Sequence, residues 1–217
     1  MKTGLITIIF FFCLFSLWAQ GNPRYSAETN EQYRYRISVP GITLPQLATK
    51  SWNDRKHTQH LELQVKRVLD DKNIIGLKFA TWRLFQPMGI LWWDGLTDKL
   101  DSESEFYPGH VRASGIGVTY QRMLWKGLFA SVEVLPQFQT YLDLDKNKVG
   151  DGFQLYNSYH LGYHLAFGPR KRFFIEPQVH CNHWLFAKNA PEGFRELDDR
   201  WRNHFLFEPN IYLGFNF

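Results

Sequence analysis

The chain has 217 residues, 21% of them charged, and a formal net charge of +4. That balance is too small and too dispersed for a nucleic-acid partner, and the length fits a single domain. Beyond the N-terminal segment no stretch reaches about 18 consecutive apolar residues, which excludes a membrane-spanning helix there.

At the N-terminus, Lys2 precedes an apolar run from Leu5 to Trp18, followed by Ala19 and Gln20. A charged start, an apolar middle and a small residue at the cut read as a secretory signal peptide over 1–19, with 20–217 as the mature domain. Cys13 lies inside that run without the small preceding residue that a lipoprotein signal wants, so no lipid anchor is expected. Cys181 is then the sole cysteine of the mature chain, and an internal disulfide is excluded in an oxidising compartment.

Eight strands are expected after this segment. They run near Tyr33–Val39, His60–Leu69, Ile74–Phe85, Val111–Leu124, Leu128–Leu142, Phe153–Phe167, Phe173–Phe186 and Phe205–Phe217. Turn residues join the second to the third (Asp70 to Asn73), the fourth to the fifth (Trp125 to Gly127) and the sixth to the seventh (Gly168 to Arg172). The other connections, Pro40–Gln59, Gln86–His110, Asp143–Gly152 and Ala187–Asn203, are longer. Pro136, Pro177 and Pro209 fall within strands, where each removes a ladder donor, so bulges or local irregularities are expected there.

The last strand shows the pattern most plainly. Phe205, Phe207, Pro209, Ile211, Leu213, Phe215 and Phe217 alternate with Leu206, Glu208, Asn210, Tyr212, Gly214 and Asn216. A period of two gives a strand one greasy and one mostly polar face. With the polar face turned into a closed ring and the greasy face outward, this is the pattern of a transmembrane strand. The aromatic content of 17% suits the girdles of such rings. The expected fold is all-β, an eight-stranded antiparallel up-and-down transmembrane β-barrel.

The C-terminal strand, ending on Phe217, resembles the assembly signal of bacterial outer-membrane β-barrels. The chain as a whole resembles the small outer-membrane barrel proteins of Gram-negative, Bacteroidetes-like bacteria. The resemblance implies an outer-membrane location, contact with outer-membrane lipid and lipopolysaccharide, and recognition by the barrel assembly machinery through the C-terminal strand. It implies no cofactor. It also implies an envelope structural or binding role, with a lipid-modifying hydrolase or acyltransferase as the first alternative. A soluble periplasmic lipocalin-like binder of apolar ligands is the second.

Alternation also assigns an interior. Strand six turns Tyr156, Ser158, His160, Gly162 and His164 inward, and strand seven turns Glu176, Gln178, His180 and Asn182 inward. Strand five adds Ser131, Glu133, Gln137 and Gln139, and strand eight adds Glu208, Asn210 and Tyr212. A hairpin closing around Arg170 pairs residues whose numbers sum to about 340, placing His160 opposite His180 and His164 opposite Glu176. The polar set Glu133, His160, His164, Glu176, His180 and Glu208 reads first as a plug, since side chains fill an eight-stranded ring and buried charges need partners. A metal site is the second reading of these residue types, without a tight spacing motif to carry it. Acid–base chemistry is the third.

Outer-membrane lipid A deacylases place a His and a Ser two positions apart on one strand. Here His180-Cys181-Asn182 carries Asn at the nucleophile's position, and Ser158 and His160 stand in the reverse order, so that activity is not carried over. Ser102, Ser104, His110 and Ser114 sit near the rim used by palmitoyl-transferring barrels, by proximity in sequence alone. Asp143 to Asp151 places acidic residues as an EF-hand loop does, but Lys148 and Gln154 replace its Gly and Glu, leaving a polar turn. In the long connections, Trp92 and Trp93 are candidates for glycan or lipid contact, and Arg195 and Arg200 for a charged headgroup.

Overall fold

Side chains that alternate apolar and polar along 10 to 17 residues build the long strands of this protein. In the computed structural model, residues 33–44, 58–90 and 105–217 are described. The strands are β1 (Tyr35–Pro40), β2 (Gln59–Val68), β3 (Asn73–Leu84), β4 (Gly109–Trp125) and β5 (Leu128–Asp143). They continue as β6 (Lys148–Tyr163), β7 (Leu165–Phe167), β8 (Phe173–Lys188) and β9 (His204–Asn216), with a short helix α1 (Glu192–Asp198) between the last two. Every pairing is antiparallel, and β1 pairs with both β2 and β9, so the sheet closes into a ring. The segments β6 and β7 share β8 as partner, so nine segments occupy eight positions. The signal-peptide reading over 1–19 lies outside the described residues.

The ring is sealed at the chain's end. Phe217 N–H donates to Tyr35 O and Tyr35 N–H to Phe217 O, both at 2.9 Å, and the two rings stack at 5.8 Å.

Proline explains the breaks. The gap between β6 and β7 falls opposite Pro177, which has no N–H to offer Tyr163; on the β5 side the ladder continues, with His164 N–H donating to Gly127 O at 2.8 Å. Across Pro136 the β4 ladder lapses between Gly115 and Val118 without losing register. Beside Pro209 a bulge shifts the β8–β9 register between His180 and Asn182, and Phe207 has a positive φ of 57°.

Two expected connections are corrected. The segment after Asp143 is a tight hairpin: Asn147 N–H donates to Asp143 Oδ1 at 2.8 Å and β6 begins at Lys148. The long connection expected over Ala187–Asn203 contains α1, because Phe194 and Leu197 lie three apart and share its buried face.

Polarity is inverted across the sheet. Phe138 is 71% exposed, Ile116 60% and Val118 59%, while Arg36, Glu176, Gln121 and Gln137 are 0–1% exposed. Apolar plugs close the two ends of this polar interior. Val68, Ile74, Met123 and Phe129 cluster at the short-turn end. Phe194 and Leu197 of α1 pack with Tyr107, Tyr141, Trp82 and Tyr156 at the other.

Candidate functional site: a polar interior and an adjoining cavity

Inward positions of neighbouring strands stack into layers, and each layer holds a charge that needs a partner. Nearest the short turns, Glu176 is the anion. His164 Nδ1 lies 2.9 Å from its Oε1, Gln121 Nε2 donates to the same oxygen at 3.2 Å, and Lys66 Nζ approaches Oε2 at 3.5 Å. Arg36 adds a longer contact at 3.9 Å. Cross-strand register creates this arrangement, because His164 stands across from Glu176 at the break opposite Pro177.

The middle layer centres on Lys78. Its Nζ lies 2.8 Å from Glu62 Oε2 and 2.7 Å from Glu133 Oε2. Gln64 Nε2 donates to Glu133 Oε1 at 2.5 Å, while Trp82 Nε1 and Tyr212 Oη donate to Glu62 at 3.0 and 3.2 Å. His160 Nε2 stands 3.6 Å from Glu133, an ion-pair distance too long for a hydrogen bond.

Above it lies the third layer. His160 and His180 face each other across the β6–β8 ladder with ring centroids 5.1 Å apart. Glu208 accepts from His180 Nε2 at 2.8 Å and from Asn182 Nδ2 at 3.0 Å, both on Oε2. Ser158 Oγ donates to Asn182 Oδ1 at 2.6 Å. This layer forms the polar wall of a cavity of about 460 Å³, whose other walls include Trp82, Leu84, Met88, Ile90 and Tyr156. A carboxylate only accepts, so the Glu208 bond leaves His180 Nδ1 with a free lone pair in the neutral ring. His180 Nδ1 and both ring nitrogens of His160 are buried without a hydrogen-bond partner among the described residues.

Of the six polar residues expected inside, five are buried and Glu208 is partly exposed at the cavity, and they divide among layers. Glu176 and His164 pair near the short turns, Glu133 belongs to the lysine layer, and His160, His180 and Glu208 border the cavity. The cations Arg36, Lys66 and Lys78 and the anion Glu62 were missed. Their signal was present, since Glu62, Gln64 and Lys66 alternate with Leu61, Leu63 and Val65 on β2. Arg195 and Arg200 are exposed on the cap, away from the cavity lining. Trp92 and Trp93 lie outside the described residues.

The cap carries its own buried pair. Tyr107 Oη donates to Asp198 Oδ1, and Trp201 Nε1 donates to Glu105 Oε2 at 2.6 Å. Burial raises the Asp198 carboxyl to about 6, a shift that the Tyr107 bond opposes and the neighbouring Asp199 charge reinforces. The same burial, with Asp198 beside it, holds the Tyr107 hydroxyl well above its ordinary value.

Chemically, the third layer offers a hydrogen-bonded His180–Glu208 pair and the His160 imidazole beside a partly open cavity. The Ser158 hydroxyl bonds an amide rather than an imidazole, so Ser158 does not make the nucleophile–base contact of a serine hydrolase. Among the described residues no three His, Cys, Asp or Glu side chains converge to hold a metal. No protein family, curated protein or solved structure matches the chain.

Proposed function

We propose that the chain is a transmembrane β-barrel of a Gram-negative outer membrane that binds a ligand and does not conduct. The inverted polarity carries this reading. A ring presenting Ile116, Val118, Phe138, Leu161 and Ile211 outward while burying charged and amide side chains would be costly in water. Set in lipid, the same distribution is favourable on both faces. Strands of 12 to 17 residues in β3, β4, β5, β6 and β8 exceed the roughly 9–11 that a tilted membrane strand needs. Apolar clusters at both ends and salt-bridged layers between them fill the described interior with side chains, which argues against a wide pore. The cavity, on the side of the long connections, is then the place for recognition.

The test is a heat-modifiability gel on the outer-membrane fraction. The expected result is recovery in that fraction and a mobility that changes only on boiling in dodecyl sulfate. A protein that is soluble without detergent and unshifted by boiling overturns the membrane placement.

One observation favours a second reading, a hydrolase acting on outer-membrane lipid: the His180–Glu208 bond beside the cavity has the form of an oriented general base. Unchanged lipid A composition in a deletion strain removes it.

A further inference from the structure

We infer that the cavity receives an amphiphilic primary amine, its ammonium group held at Glu208 and its apolar body against Trp82, Tyr156, Leu84 and Met88. The inference deepens the binding reading above, and it stands on the cavity rather than on the membrane placement.

Charge comes first. Among the described residues, three carboxylates border or adjoin the polar end, Glu62, Glu133 and Glu208, against one fixed cation, Lys78, which Glu62 and Glu133 already hold at 2.7–2.8 Å. Glu208 is left with neutral donors or a protonated imidazole. Its side chain is also the most open of the group at 36% exposed, and both of its bonds fall on Oε2. An anionic ligand would meet this excess of negative charge, whereas a cation would complete it.

Hydrogen-bond chemistry narrows the cation. An ammonium group brings three donors and no acceptor, and this wall supplies acceptors: the Glu208 carboxylate, His180 Nδ1 and, in the neutral ring, one of the two His160 nitrogens. The His160 and His180 side chains are only 2% and 8% exposed, so those nitrogens gain nothing from bulk water. Metal chemistry would need a third converging ligand, which the described residues do not offer.

The apolar walls supply the second half of the ligand. The cavity exposes more apolar than polar surface, and about 460 Å³ is in the range of small-molecule sites. A small inorganic cation would leave the face of Trp82, Tyr156 and Met88 unused.

The experiment titrates n-hexylamine, n-hexanoate and 1-hexanol into the full mature chain, refolded in zwitterionic detergent, by calorimetry. Propylamine tests the apolar contribution. Saturable hexylamine binding is expected, roughly tenfold or more tighter than hexanoate, with propylamine weaker. Glu208→Gln keeps the side-chain shape and is expected to lose about tenfold for hexylamine while leaving hexanol unchanged. A second variant, Met88→Trp, fills the apolar end and is expected to weaken hexylamine more than propylamine. Far-ultraviolet circular dichroism of each variant reports folding separately, whether or not the sheet lies in a membrane. Hexanoate binding as tightly as hexylamine, absence of saturable binding, or an unchanged affinity in Glu208→Gln each overturns the assignment. Because the titration works whether or not the protein needs detergent, a failure here is distinct from a failure of the membrane placement.

Discussion

Replacing Lys78 by Met tests whether the interior is held by charge compensation. Lys78 Nζ bridges Glu62 and Glu133 at 2.8 and 2.7 Å, with its side chain 4% exposed. Its removal leaves two carboxylates in a water-poor layer without their cation. Losing one partner of a buried pair costs about 3–5 kcal/mol. The lower end applies here, because Gln64 still donates to Glu133 while Trp82 and Tyr212 still donate to Glu62. A loss of about 3 kcal/mol is a large share of the roughly 5–15 kcal/mol that stabilises a typical domain. The assay is urea unfolding of the refolded chain in liposomes, followed by tryptophan fluorescence and by the heat-modifiability gel. Adding Glu133→Gln to Lys78→Met should recover part of the loss, because one of the two uncompensated charges is then gone, and the double-mutant cycle measures that coupling. A Lys78→Met protein within about 0.5 kcal/mol of the parent would refute the reasoning, since an ordinary exposed lysine behaves that way.

Three further outcomes are expected. Stability of the cap falls with pH. Asp198 titrates at about 6 in the folded cap against 3.8 in the open chain, so the folded form holds a proton that the open form has lost between those values. Cap docking is therefore strongest below about pH 4 and weakens until pH passes about 6, by up to about 3 kcal/mol. Hydrogen exchange at α1 reads this, and Asp198→Asn should flatten the profile. Val118→Arg, on the outward face of β4, should cost roughly 2–4 kcal/mol in a bilayer, and a near-zero cost would show that water covers that face. Gly214→Ala should destabilise the ring closure by roughly 1–3 kcal/mol, because an added Cβ would lie 2.1 Å from the Phe174 ring and 2.5 Å from the Ile37 carbonyl oxygen. Unfolding midpoints of that variant and the parent settle it.

Much of the candidate site was legible because a strand offers only two faces. Once Tyr156, Ser158 and His160 share one face with Asn182 and His180 opposite, a turn at Arg170 is enough to pair them. The turn residues carry that register, and the pairing sum around Arg170 holds from Tyr156–Trp184 to Leu165–Ile175. The division of the six polar residues was not legible, since depth along the interior depends on where strands of unequal length overlap. Lys78 was hidden for a related reason. Strand β3 is apolar on both faces near its start, with Ile74 inward and Ile75 outward, so alternation there points neither way.

Sequence by itself determined the period of two, the turn chemistry and the Phe-terminated last strand, because these depend on neighbours within one or two residues. Only the tertiary structure decided that the sheet closes, that a short helix corks one end, and that Glu208 bonds His180 with His160 across the ladder beside a cavity. Those outcomes rest on contacts between residues far apart in the chain, such as Tyr35 with Phe217 and Tyr107 with Asp198. No local pattern specifies such contacts; they form when the strands, each set by its own alternation, are forced to share one interior.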